Sequence, residues 1–316
     1  MAKYMITGGA GFIGSNIAQR LVERGEKVIV FDNFVTGHRR NLEEIEKAKN
    51  LRIVEGDVRD LPAVKKEARR ADFILHLAAL PSILRSMKDP AESHEVNAGG
   101  TLNVLIAAKT YACVKRVVYA SSSSAYGDSP TLPKVETMQN HPLSPYAVSK
   151  IAGEDFCRMF YNTMKVDTVC LRYFNIFGPR QDPTSQYAAV VPKFVNALLR
   201  GRDPLIFGDG KQSRDFTFVE NVVDANVLAT QTPKAGGEVL NIACGSRVTV
   251  LGLASFIGQI LDRDVNPRFD KSRAGDVRHS LADITKAREF LGYRPRFGIE
   301  EGLKVTVEWY QRRLRR

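Results

Sequence analysis

The chain has 316 residues, enough for one large domain or two joined ones and for a core that needs no disulfide staples. Its 44% hydrophobic and 26% charged residues exclude a disordered or collagen-like chain. Against 35 Asp and Glu stand 46 Lys and Arg, a net charge of +11, which raises nucleic acid, an acidic membrane or an anionic small molecule as partner, with a solvated basic surface as the plain alternative.

The first residues, Met1 to Thr7, run directly into a strand pattern and a glycine turn, with no signal-peptide apolar region. No apolar run approaches the ~20 residues of a membrane span. Cys113, Cys157, Cys170 and Cys244 form no CxxC pair and no zinc-spaced cluster, so no metal is expected. A cytoplasmic, reducing setting is the expectation.

Six short β-branched runs read as strands covered on both faces: Tyr4–Thr7, Lys27–Phe31, Arg52–Glu55, Phe73–His76, Arg116–Ala120 and Thr168–Leu171. Helical patterns intervene at Gly11–Glu23, Pro62–Arg70, Ala91–Tyr111 and Pro145–Met164. The alternation predicts an α/β fold with a doubly wound parallel sheet, of Rossmann type. This dinucleotide-binding domain is expected to span 1–176, with 215–243 returning to it. A smaller α/β substrate-binding region would take 177–316. Within that second half, Asp215–Val219 and Val239–Ile242 read as strands. Val190–Arg200, Glu220–Thr230, Val250–Leu261 and Ile299–Arg312 read as helices.

Gly8, Gly11 and Gly14 follow the first strand and open a helix. That arrangement gives a tight turn, close approach of backbone to a pyrophosphate, and a helix N-terminus facing the anion. Strand–turn–helix context strengthens the glycine spacing, which alone is weak. Asp32 ends the second strand, 21 residues after Gly11. A carboxylate there accepts from both ribose hydroxyls and repels a 2′-phosphate, favouring NAD over NADP. Arg39 and Arg40 nearby weigh the other way. The competing account is a structural turn with a solvated Asp.

Tyr146 and Lys150 stand at i and i+4 early in a predicted helix and share a face. A phenol of pKa ~10 is a poor base at neutral pH, and a neighbouring cation lowers that pKa. Most Tyr–Lys pairs of this spacing are structural; here the pair follows a dinucleotide loop and a serine-rich strand end. Ser121, Ser122, Ser123 and Ser124 supply hydroxyls where ligands meet a doubly wound sheet, or else a self-capping turn.

Together these elements resemble the extended short-chain dehydrogenase/reductase family of NAD-dependent nucleotide-sugar epimerases and dehydratases, over essentially the whole chain. Further matching pieces are Asp57-Val58, His76-Leu77-Ala78-Ala79, Asn97, Arg172 through Pro179, and Gly208 through Phe216. The resemblance implies that Gly8, Gly11, Phe12, Ile13 and Gly14 hold the pyrophosphate, Asp32 and Asn33 the adenosine ribose, and Asp57 and Val58 the adenine. Leu77, Ala78, Ala79, Asn97 and Tyr173 would complete the cofactor site, with Tyr146 and Lys150 at the nicotinamide ribose. Ser122, four residues before Tyr126, would be the catalytic hydroxyl. Ser123 and Ser124 stand where sugar 4,6-dehydratases carry an Asp-Glu pair, which speaks against dehydration.

The resemblance also implies a uridine diphosphate (UDP) anchor. Asn175 and the backbone near Val190 would approach the diphosphate, and Leu205 and Phe207 would pack on uracil. Arg214 and Arg273 would pair with phosphate, Asp276 with the ribose. Ser280 is small where glucose/galactose epimerases carry a bulky residue, leaving room for an acetamido group that Ser82 would reach. The implied reaction is reversible C4 epimerisation of a UDP-hexose through a 4-keto intermediate and transient NADH. The nearest group is the UDP-N-acetylglucosamine 4-epimerases of surface-polysaccharide pathways, with a UDP-glucuronate 4-epimerase as alternative. A homodimer through a four-helix bundle of Ala91–Tyr111 and Pro145–Met164 is implied, and neither nucleic acid nor membrane as partner.

Overall fold

The computed structural model describes residues 1–183, 189–271 and 277–314. Its main sheet has seven strands, all parallel. Six of them are β1 (Lys3–Thr7), β2 (Lys27–Asp32), β3 (Leu51–Glu55), β4 (Phe73–His76), β5 (Arg116–Ser122) and β6 (Thr168–Tyr173). Val239–Ile242 is the seventh and pairs with β6. The order across the sheet is β3-β2-β1-β4-β5-β6 and then Val239–Ile242. The order in which successive strands are added therefore reverses between β1 and β4, the switch point where doubly wound sheets open a ligand crevice.

The strands are apolar on both faces because helices cover both. Tyr4 and Ile6 of β1 join one buried cluster with α1 (Phe12–Glu23), while Met5 between them joins another with α2 (Leu61–Ala68). A short helix, α3 (Ile83–Lys88), precedes α4 (Pro90–His94). A π-helical turn at Glu95–Gly99 leads into α5 (Gly100–Thr110). The predicted helix over Ala91–Tyr111 is thus one continuous run with a widened turn. The 20-residue α6 (Pro145–Met164) begins with Ser144 as cap, its Oγ accepting from Ala147 N at 3.2 Å.

A third cluster, including Phe177, Phe194, Phe218, Leu253 and Leu303, forms a core separate from these two. Helices Val190–Leu199, Val250–Ile260 and Ile299–Leu314 pack around it. Of the expected strand Asp215–Val219 only Thr217–Phe218 is strand; Val219 opens a helix, and a second short strand, Ser213–Arg214, precedes the expected span. Thr217–Phe218 pairs with Ile176–Phe177, and Ser213–Arg214 pairs with Val248–Thr249. Asp215 between them is fully buried. Its carboxylate accepts from Cys244 N at 2.9 Å, Gly245 N at 3.0 Å and Ala282 N at 3.2 Å, which takes it out of any ladder. Burial raises its pKa to about 6 against those three bonds.

Candidate active site

The carboxyl ends of the strands open on a cavity of about 1350 Å³. Pockets for one small ligand usually measure ~300–1,000 Å³, so this one has room for two ligands side by side. The glycine loop lies along one part of it, Ser122, Tyr146 and Lys150 along the middle, and Asn175, Arg214 and Ser280 along the rest.

In the glycine loop, a Cβ on Gly14 would stand 2.3 Å from Gly8 O, so the turn is closed to any side chain. No side chain caps α1 and its first turn holds no acid. Its leading N–H groups and positive dipole end thus remain for an anion. Asp32 is buried, with Oδ2 accepting from Ala10 N at 2.9 Å and Oδ1 from Phe34 N at 2.8 Å. Burial raises its pKa, and these bonds oppose the rise. Arg39, one of the two cations that weighed against NAD, lies over the Phe34 ring at 4.4 Å and pairs with Glu55 at 2.9 Å. An anion cradle and a fixed carboxylate fit NAD. Phe12, Ile13, Asn33, Val58, Leu77, Ala78, Ala79 and Tyr173 also line the cavity.

Two expected cofactor residues do not face it. Asp57 turns to Arg59, which donates Nε at 3.0 Å and Nη2 at 2.7 Å, and to Asn33 Nδ2 at 3.0 Å. The Arg59 guanidinium chiefly holds the Asp57 carboxyl near pKa 2. Asp57 therefore shapes the edge of the site rather than lining it. Asn97 is 1% exposed, accepts from Leu80 N at 2.7 Å and donates to Ser149 Oγ at 3.0 Å. Ser149 in turn donates to Tyr146 O at 2.8 Å. Asn97 is a brace between the Leu80 loop and the Tyr146 turn of α6. The brace continues through Thr101 Oγ1, which stands 3.0 Å from His76 Nε2, to Thr7 Oγ1, 2.6 Å from His76 Nδ1. Full burial lowers the His76 pKa to about 3, so the ring is neutral.

Gly153 lets α6 close on β5: a Cβ there would stand 2.3 Å from Tyr119 Oη. That approach carries Lys150 Nζ to Ala120 O at 2.7 Å and places it 5.0 Å from the Tyr119 ring centre and 6.0 Å from that of Tyr146. Desolvation lowers the Lys150 pKa to about 8. Tyr146 departs from expectation. Burial dominates and raises its pKa, with the Ser122 hydroxyl opposing. Tyr146 is therefore a neutral phenol in the chain alone.

Ser122 Oγ accepts from Ser124 N at 3.2 Å at the end of β5. Ser123 and Ser124 line the cavity, and Ser124 Oγ is buried with no partner among the described residues. Ser121 turns under the sheet to Glu154, which takes Arg172 Nε at 2.8 Å and Nη2 at 2.7 Å. Residues 146, 150 and 154 share one helix face, a spacing that marks Glu154 in the sequence although its role there goes unread. Ser82 lines the cavity and caps α3, accepting from Arg85 N at 3.0 Å.

At the far end, Asn175 adopts φ 40 and donates Nδ2 to Asp215 O at 3.1 Å and Ser280 Oγ at 3.4 Å. Arg214 Nη1 donates to Ser213 O at 3.0 Å and Arg278 O at 3.1 Å, which fixes its guanidinium at the wall. Val190 does not line the cavity; its neighbour Ala189 does, while Val190 packs on the third core. Leu205 and Phe207 do not line it either. Their strand pairs with Arg268–Asp270, leaving Leu205 39% exposed. Arg273 and Asp276 lie outside the described residues. Gln181 and Asp182 also line the cavity, as do His38 and Lys134, which the sequence reading did not mark.

Among the described residues no cluster of His, Cys, Asp and Glu could hold a metal, and no helix is long and apolar enough to cross a membrane. The family model described as "NAD dependent epimerase/dehydratase family" matches residues 4–243. A UDP-glucose 4-epimerase of Mycolicibacterium smegmatis is 39% identical, over 97% of this chain and 98% of its own length. The solved UDP-N-acetylglucosamine 4-epimerase of Methanobrevibacter ruminantium M1, in complex with UDP-N-acetylmuramic acid, superposes with a TM-score of 0.94 at 38% identity, covering 99% of each chain. The UDP-glucose 4-epimerase of Thermotoga maritima, solved with UDP-glucose, gives 0.93 at 38%, again over 99% of each chain. A glycine cradle and a buried Asp32 at one part of the cavity and a Tyr–Lys pair at its centre agree with these matches: the chain belongs to the NAD-dependent epimerase/dehydratase family.

Proposed function

We propose that this protein inverts C4 of a UDP-hexose, with UDP-N-acetylglucosamine and UDP-N-acetylgalactosamine as its preferred pair. The observation that carries the proposal is one continuous cavity lined by the dinucleotide cradle, by Ser122, Tyr146 and Lys150, and by Asn175, Arg214 and Ser280. Bound NAD supplies reversible oxidation at the sugar carbinol and, in its oxidised form, a positive charge. Tyr146 removes the 4-OH proton once charge around it favours the phenolate, and returns a proton to the same oxygen afterwards. Ser122 donates to the 4-oxygen as it becomes carbonyl-like. Lys150 supplies the fixed cation. Arg214 and Asn175 hold the diphosphate, leaving the sugar free to present its other face. Serines at 123 and 124 offer no acid–base pair for eliminating water. The small Ser280, in contact with Asn175, leaves space beside the sugar, which supports the N-acetylated choice.

Incubation with UDP-N-acetylglucosamine, UDP-glucose and UDP-glucuronate separately, followed by product chromatography, tests the reading. Faster formation of UDP-N-acetylgalactosamine than of UDP-galactose is expected. Turnover of the glucuronate alone would replace the reading with a uronate epimerase. We further propose a homodimer through the continuous run over Ala91–Tyr111 and α6, supported by the exposed apolar side chains Val148, Met159 and Met164 along α6. A monomer by sedimentation at micromolar concentration would remove it.

A further inference from the structure

One set of contacts lies away from Tyr146 and has no part in the chemistry above. After Phe177 the chain leaves through Gly178 and Pro179 and passes over the first turns of α1. Asn16 on α1 donates Nδ2 to Pro179 O at 3.2 Å. Arg180 reaches back across the same helix. Its Nη1 donates to Asn16 Oδ1 at 3.3 Å, and its Nη2 to Gln19 Oε1 and, at 3.0 Å, to Glu44 Oε2. The Arg180 side chain is only 7% exposed, and its backbone sits at φ 71, where residues other than glycine are uncommon. A buried guanidinium on such backbone persists only where its surroundings hold it.

Two residues on, Asp182 Oδ2 lies 3.6 Å from His38 Nε2. His38 belongs to the loop that follows β2 and Asp32, and its N–H donates to Ala10 O at 3.0 Å. His38, Gln181 and Asp182 line the same cavity as the glycine loop. The segment 178–182 therefore touches both banks of the dinucleotide cleft, α1 on one side and the 38–44 loop on the other.

We propose that this segment is a clasp that retains the dinucleotide, with Arg180 as its bolt, so that cofactor exchange requires Arg180 to release α1 and Glu44. The clasp is independent of which sugar is turned over, and its test uses the cofactor alone. Protein loaded with NADH is mixed with excess NAD⁺, and the fall in nicotinamide fluorescence gives the release rate. Glu44→Gln removes only an exposed ion-pair partner and quickens release about three-fold. Arg180→Gln removes every side-chain contact of the bolt and quickens it about ten-fold or more. The double variant releases no faster than Arg180→Gln alone, because Glu44 acts through Arg180. Melting of the cofactor-free protein distinguishes a clasp from general loosening: Glu44→Gln stays within about 2 °C of the parent. Should Arg180→Gln fail to fold, Glu44→Lys, which repels the guanidinium, takes its place. Release at the parental rate in Glu44→Gln and in the stronger variant would overturn the proposal.

Discussion

Lys150 works against the stability of the fold that it serves. Its side chain is 3% exposed, and desolvation brings its pKa from 10.5 down to about 8. That gap is worth about 3 kcal/mol, at ~1.4 kcal/mol for each pKa unit. Below pH 8 the folded and unfolded chains both carry the proton, and the folded state bears the full cost of enclosing it. Between pH 8 and 10.5 the unfolded chain binds more protons, so stability rises with pH as the cost is relieved. Lys150→Met keeps the stem and discards the charge, but it also loses the 2.7 Å bond to Ala120 O, worth about 1 kcal/mol. The variant should therefore be more stable than the parent by about 2 kcal/mol at pH 7 and less stable by about 1 kcal/mol near pH 10.5. Urea unfolding of both proteins at pH 7, 9 and 10.5 measures this. Cofactor must be removed first, because a ligand that binds only the native state adds its own stabilisation. A variant less stable than the parent at pH 7, or a difference that does not move with pH, would refute the reasoning.

Three further outcomes are expected. Tyr146→Phe lowers kcat by ~10²–10⁴ with little change in KM, because only proton transfer is lost; steady-state rates on the preferred sugar pair check this. Ser280→Tyr abolishes turnover of N-acetylated sugars and spares glucose/galactose exchange; equal loss on both would show that Ser280 does not gate the site. Gly14→Ala forces a Cβ against Gly8 O, so it destabilises by roughly 1–3 kcal/mol and weakens NAD binding, measured by calorimetric titration and thermal melting.

Much of the sheet was legible because its physics is local. Strands β1 to β6 are short apolar runs between turns, and a parallel strand buried on both faces leaves that mark in composition. The shared face of Tyr146 and Lys150 was legible for a similar reason, since helix spacing fixes it, whereas the strand end marked Ser121 to Ser124 as a group and only the family resemblance singled out Ser122. What went unread depends on distant partners. Asp215 reads as part of a strand until its carboxylate is seen to collect N–H groups from residues 244, 245 and 282. Asn97 reads as a cofactor residue until Leu80 and Ser149 take its amide. The short helix α3 carries exposed Ile83, Leu84 and Met87, so no amphipathic pattern announces it. The raised pKa of Tyr146 needed the third dimension too: sequence shows a cation four residues away, and only packing shows how fully the phenol is buried.

The order of manufacture gives the Arg180 contacts another consequence. The glycine loop leaves the ribosome well before its cover: Pro179 and Arg180 lie more than 160 positions behind Asn16, which they hold. At ~5–20 residues per second, translation leaves that loop exposed for roughly 10–30 s before its cover exists. The strand Val239–Ile242, which closes the edge of the sheet on β6, arrives later still. The earliest-made part of the nucleotide cradle is thus among the last to be secured, and the nascent chain passes through a stage at which the cradle is built but open.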